Sequence, residues 1–173
     1  MHDKLKKEHK AGIGKKQPYT NLIYIVSTIV FLLIWILDSF IFKFLKEITG
    51  FIPLPLKIII FIIVMIIAII LGVLSHKVLF SRNHVATSLI KNGVFAHVRH
   101  PMYLSMLLVY IALIVLTMSL ASIILWIVIF IFYNKMATYE EKDLERIVGQ
   151  EYLEYKKKVP KWIPILIPAK FKK

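Results

Sequence analysis

Residues 102–133 read MYLSMLLVYIALIVLTMSLASIILWIVIFIFY, 32 positions without one charged side chain. About 20 apolar residues cross the ~30 Å of bilayer hydrocarbon, so the run is too long for one ordinary span. Divided at Thr117-Met118-Ser119, each half would reach about 24 Å at a rise of ~1.5 Å per residue. The run predicts two spans joined as a tight helical hairpin, with the tip at or just below the far interface.

Two more apolar runs precede it. One covers residues 19–44, interrupted only by Asp38 and Lys43, and one covers residues 56–80 with an Ile-rich centre. Hydrophobic residues make up 58% of the 173-residue chain and charged residues 19%, against ~45–50% and about 25% in soluble domains. The expected class is therefore an all-α integral membrane protein with about four transmembrane helices. The apolar run after the Lys-rich start continues to Leu37, and no small-x-small site follows. It reads as a retained first span and not as a cleaved signal.

Charge sets the expected orientation. The net charge is +13, with six Lys before Pro18 and Lys77, Arg82, Lys91 and Arg99 between His76 and His100. Ten further basic residues follow Tyr133, whereas residues 43–57 hold three Lys and one Glu. Basic residues placed between and after spans report membrane orientation, so both termini and the second loop are expected in the cytosol. The same distribution argues against nucleic acid as the partner. The absence of Cys excludes disulfides, thiolate catalysis and Cys-held metal or haem. His76, His84 and His97 do not make a metal spacing.

The chain reads as a single membrane domain. Residues 1–18 form a basic cytosolic tail, 19–44 and 56–80 the first two spans, 81–100 a loop, 101–134 the hairpin, and 138–173 an interfacial helix and tail. In that last segment Leu144, Ile147, Val148, Tyr152 and Tyr155 recur at helical spacing, which predicts an amphipathic helix at the cytosolic face. Gly149 is a weak point where it breaks in two, and Pro160, Pro164 and Pro168 forbid a continuous helix beyond. Asp38 is read as an interfacial acid near the outer end of the first span.

Two polar constellations sit against this apolar frame. Arg99-His100-Pro101-x-Tyr103 abuts the start of the third span, where Pro101 suits the first helical position and the preceding backbone suits anionic groups. Asn92-Gly93 signals a turn, so 93–100 is expected as a short ordered loop. The alternative is a loop whose Arg99 and His97 meet lipid phosphates. Glu140-Glu141 follows the fourth span by a few residues, and its plain reading is charge at a helix start. If the two spans form a hairpin, however, His100 and Glu140 lie at the same membrane face.

The ordered set Gly93-Val94-Phe95, Arg99-His100-Pro101-x-Tyr103, Glu140-Glu141-x-x-Leu144 and Gly149-x-Glu151-Tyr152-x-x-Tyr155, then Val159-Pro160 and Pro164, resembles the isoprenylcysteine carboxyl methyltransferase family and the related phospholipid methyltransferases. The likeness covers roughly residues 87–164. It implies S-adenosyl-L-methionine as methyl donor and a lipophilic small-molecule, lipid or prenylated acceptor. By motif, Thr87, Ser88, Leu89, Ile90, Gly93, Phe95, His100, Pro101, Met102, Tyr103, Glu140 and Glu141 would bind the donor. Glu140, Lys135 and Arg99 would serve catalysis.

One departure matters. The carboxyl methyltransferases usually carry Arg four residues before the first Glu, and that position is Met136. Either the adjacent Lys135 substitutes or the acceptor is not a carboxylate. Isoprenylcysteine carboxyl methyl-esterification is thus the leading expectation. A phospholipid amine, a thiol or an isoprenoid acceptor stays open, as does a non-enzymatic scaffold or ligand-binding role. Methyl transfer from a sulfonium needs alignment and charge placement more than covalent help, so the lack of a nucleophile triad is no objection.

Overall fold

The computed structural model describes residues 20–42, 52–80 and 89–171. The described residues are helical, with no strand among them. Five α-helices follow in order: α1 Thr20–Ile36, α2 Leu54–Phe80, α3 Pro101–Thr117, α4 Leu120–Val148 and α5 Gln150–Lys158. A π-helical stretch, Leu37–Phe42, extends α1, and a 3₁₀ turn, Gly93–Ala96, precedes α3. Three segments are long and apolar enough to cross a membrane: Leu22–Ile41, Leu54–Leu79 and Leu120–Val148. Helix α3 is also apolar but shorter, at 17 residues. Together these make the chain an integral membrane protein.

By packing, the described residues divide into two compact units, 20–42 and 52–70 with 103–134, and 71–80 and 89–102 with 135–171. In the first, Ile and Leu side chains of α1 and of residues 54–70 point outward and stay exposed. Lipid tails are as apolar as Leu, so they offer little drive for helices to associate, and polar contacts must help. Those contacts are present. Ser27 Oγ lies 2.8 Å from Tyr133 Oη, and Thr28 Oγ1 2.9 Å from Tyr110 Oη. Trp35 Nε1 donates to Leu113 O at 3.0 Å and Trp126 Nε1 to Leu107 O at 3.1 Å. Phe31 stacks on Tyr110, with centroids 4.3 Å apart.

The break between α3 and α4 falls where the sequence places it. Met118 takes φ +56°, a left-handed conformation uncommon outside Gly, Asn and Asp. Ser119 then caps α4, accepting the Ser122 N–H at 3.2 Å. Asp38 completes the cap through its Oδ2, which accepts the Ser119 hydroxyl and, at 3.1 Å, the Ala121 N–H. Asp38 is thereby buried within the protein, at 4% exposure, which its sequence position alone does not reveal. An α-helix start leaves its first N–H groups unsatisfied, and a carboxylate from a distant segment meets one of them.

A second difference lies after Tyr133. No separate helix begins at 138, because α4 runs unbroken to Val148. Residues 134–148 hold no Pro or Gly, so nothing in the backbone chemistry stops the helix where its apolar character ends. Gly149, at φ +68°, does stop it. Helix α5 ends at Val159, which is extended at φ −114°, ψ 123°, as expected for the residue before a proline.

The second unit has a core of its own. Tyr152, Tyr155 and Val159 are buried, with Leu89, Leu144, Val148, Ala169 and Phe171 against them. The Tyr155 hydroxyl donates to Phe95 O at 2.8 Å, tying α5 to the 3₁₀ turn. Gly93 has φ +57°, and a Cβ there would lie 3.2 Å from Val78 Cγ2, so the turn requires the residue the sequence supplies.

Candidate active site

Within that second unit, Pro101 opens α3 at the first helical position, where its missing N–H leaves nothing unpaired. Arg99 and His100 are the residues just before it. Helix α4 brings Glu140 and Glu141 to them across 41 residues of sequence. His100 Nε2 lies 2.9 Å from Glu141 Oε1, with both side chains buried at 8% and 5% exposure. A carboxylate only accepts, so Nε2 carries the proton of this bond. The other ring nitrogen, Nδ1, faces Glu140 Oε2 at 3.8 Å. Arg99 Nη2 is 3.4 Å from Glu141 Oε1.

The two glutamates thus differ in station. Glu141 is enclosed by His100, Arg99 and, at 3.8 Å, Lys156 Nζ. Glu140 keeps 38% of its side chain exposed. Arg99 is the least satisfied member. Its side chain is 10% exposed, and its Nε and Nη1 are buried without a hydrogen-bond partner. Most buried polar groups are paired, and a guanidinium with open donors is built to take a planar anion.

Residues 160–169 close one side of the site through main-chain bonds. Arg99 N–H donates to Pro160 O at 3.0 Å, Ile165 N–H to His97 O at 3.1 Å, and Ala169 N–H to Ala96 O at 3.0 Å. His97 Nδ1 adds a bond of 2.7 Å to Ile165 O. This strap sets Trp162 beside His100, ring centroids 6.1 Å apart, and lets Lys161 Nζ donate to Thr138 Oγ1 at 2.7 Å. Burial holds the Lys161 ammonium below the ordinary lysine range; the charges of Arg99 and Lys156 act the same way and Glu141 opposes them. Burial also pushes the Tyr152 hydroxyl above its usual value, with the Glu141 charge adding to it and Arg99 opposing. Tyr152 therefore stays a neutral, protonated neighbour.

The other expected site residues fall in several places. Thr87 and Ser88 lie outside the described residues. Leu89 joins the Tyr152–Tyr155 core, while Ile90 and Met102 are half-buried. Gly93 and Phe95 shape the turn that Tyr155 holds. Tyr103 belongs to the other unit, buried in a ring cluster with Tyr24 and Tyr133 at 5.4 and 5.2 Å. Lys135 is exposed and Met136 half-buried. Sequence reasoning missed Lys156, Lys161 and Trp162. The signal for the last two was Pro160, which turns the chain back before Lys161-Trp162.

The sequence profile of the phospholipid methyltransferase family matches residues 48–151, more than half of the chain. The chain belongs to that family. Over 95 residues it is 34% identical to a Protein-S-isoprenylcysteine O-methyltransferase of Schizosaccharomyces pombe, covering 53% of this chain and 39% of that protein. Over 79 residues it is 29% identical to Protein-S-isoprenylcysteine O-methyltransferase B of Arabidopsis thaliana, covering 45% and 40%. The matched region thus spans about two fifths of each relative. No solved structure is significantly similar to the chain. The Arg99–Tyr103 motif and Glu140-Glu141 fall inside the matched region of this phospholipid methyltransferase family member.

Proposed function

We propose that this protein transfers a methyl group from S-adenosyl-L-methionine to a lipophilic acceptor at a membrane surface, the acceptor being a prenylcysteine carboxylate or a close analogue. The observation that carries the reading is Arg99: a nine-tenths buried guanidinium with two unmet nitrogens, directly beside the His100–Glu141 pair. The donor has a carboxylate, an ammonium and a sulfonium. Arg99 suits the carboxylate, and Glu140, half-exposed beside it, suits a cationic group. The names of the two relatives support the acceptor class.

When bound, the donor supplies an electrophilic methyl on sulfonium. The chain's own residues bind, orient and exclude water. Glu141 fixes the His100 ring through Nε2, so His100 presents Nδ1 and a rigid ring face. Trp162 shields that ring on one side. Positioning of this kind accounts for about 7–11 kcal/mol of barrier in well-aligned reactions. Lys161, not Lys135, is the better candidate for the acceptor carboxylate. Lys135 is exposed, whereas Lys161 reaches α4 at Thr138, two residues from the Met136 position.

The same reading extends to topology. α3 is taken as a short fourth span forming a hairpin with α4 in one membrane domain, supported by the Trp126–Leu107 bond. The distribution of Lys and Arg supports cytosolic termini and a cytosolic active site. A phospholipid amine is the second acceptor reading. Met136 favours it, since the cation usual at that position is missing. An ammonium acceptor must first lose a proton, and Glu140 would take it.

Titration of the detergent-solubilised protein with S-adenosylmethionine tests the donor. Saturable binding that weakens in His100→Ala and Glu140→Ala is expected; no binding, or binding indifferent to both changes, overturns the proposal. Labelled donor offered in parallel to prenylcysteine analogues, aminophospholipids and thiols then assigns the acceptor.

A further inference from the structure

The most exposed large apolar side chains among the described residues are not on the helices. They are Leu166 at 97%, Ile163 at 79% and Ile167 at 78%, all in the strap after α5. They are not misfolded core. The backbone around them is fixed by the bonds from Pro160, Ile165 and Ala169 to residues 96–99. Ala169 turns inward against the Tyr155 core, so the strap already has its buried side. Pro164 and Pro168 keep the segment from coiling so as to hide the other side.

The sequence on either side of the three side chains is basic. Lys157, Lys158 and Lys170 are exposed in the described structure, whereas Lys156 pairs with Glu145 and Lys161 turns to Thr138; the sequence adds Lys172 and Lys173. No Asp or Glu occurs between Tyr155 and Lys173. Trp162, a residue suited to the headgroup level, starts the apolar stretch. Aliphatic tips among lysines match an anionic bilayer surface, where tails take the tips and phosphates take the ammonium groups. A second copy of the chain would bring the same positive charge and repel it.

We propose that residues 162–168 form an in-plane wedge that docks on the anionic surface of the bilayer, with Ile163, Leu166 and Ile167 immersed and the flanking lysines on lipid phosphates. The strap that carries the wedge is the one that holds Arg99 and His97 by their main chains. Lipid charge would therefore bear on the order of the site. The docking itself does not depend on the methyl-transfer reading.

The chain has no Cys, so a single introduced thiol is a unique label. Leu166→Cys and, as an exposed polar control, Asp143→Cys are spin-labelled in the full chain. Both are reconstituted in nanodiscs of phosphatidylcholine with or without phosphatidylglycerol. The expected result is a label at 166 that oxygen reaches and a water-soluble nickel chelate does not. That protection should grow with phosphatidylglycerol and shrink when Lys157→Gln and Lys170→Gln are added. The label at 143 should stay open to nickel throughout. Nickel access at 166 equal to that at 143 overturns the proposal. Shielding from both reagents also overturns it, because protein then covers the patch. Immersion indifferent to phosphatidylglycerol overturns the anionic assignment.

Discussion

His100 Nε2 and Glu141 Oε1 meet at 2.9 Å in a buried pair closed across 41 residues of sequence. The pair ties the start of α3 to the charged half of α4, and neither residue has water to fall back on. Removing Glu141 takes from both His100 Nε2 and the Arg99 guanidinium the carboxylate they share.

Glu141→Ala should lower stability by about 3–5 kcal/mol, the usual result of breaking a buried charged pair. Glu141→Gln keeps an acceptor oxygen for Nε2 and should lose distinctly less. Thermal unfolding of the two variants in one detergent checks the ranking. Equal losses would mean that the charge, and not the hydrogen bond, matters to the fold.

Arg99→Ala should weaken binding of S-adenosylmethionine on the order of 10–100-fold, the equivalent of losing charged hydrogen bonds. Arg99→Lys should restore little, because an ammonium lacks the planar fork. Calorimetric titration measures both. Full rescue by Lys would show that only a positive charge is needed.

Asp38→Ala removes an acceptor from the α4 cap and should lower stability by about 1–2 kcal/mol. Asp38→Asn retains a side-chain oxygen and should lose less. Donor affinity should not change in either variant, and a fall in affinity would tie Asp38 to the site.

Lys161 makes stability depend on pH in a stated direction. Its pKa in the folded protein lies below the unfolded value of 10.5. Between the two values the unfolded chain binds more protons, so stability rises with pH across that window. Below the window the native state carries the full burden of a partly buried ammonium. Lys161→Met removes this dependence. The midpoint of the wild type should therefore gain on that of the variant as pH is raised toward 10.5, in paired melts at stepped pH. A constant gap would rule the effect out.

Gly93→Ala forces a non-glycine residue to φ +57° and brings its Cβ to 3.2 Å from Val78. A loss of about 1–2 kcal/mol from the backbone alone is expected, with the contact adding to it. Gly149→Ala meets open space, but its backbone at φ +68°, ψ −132° lies outside the left-handed helical well, in a region essentially reserved for Gly. It should also lose stability, from the backbone alone, and chemical unfolding of the two variants compares the two costs.

How much of this was legible beforehand varied with the range of the interaction. The α3–α4 break was readable at Thr117-Met118-Ser119, since turn and cap chemistry is local. So was the stop at Gly149. The end of α4 was misjudged because polarity changes at Asn134 while helix-forming capacity does not. The roles of the two glutamates were not readable, since only the phase of α4 decides which one faces His100. The partnership of Asp38 with Ser119, across 81 residues, leaves no local sign. Lys161 had Pro160 as its one local sign, and its place comes from a strap whose path follows main-chain bonding.

That main-chain bonding has an evolutionary consequence. The links from 160, 165 and 169 to residues 96–99 use peptide groups, which most substitutions leave intact. Residues 163, 166 and 167 could therefore change identity without moving Arg99 or His100. A chain built this way could alter what its surface touches while its chemistry stays put, letting the two features be selected separately.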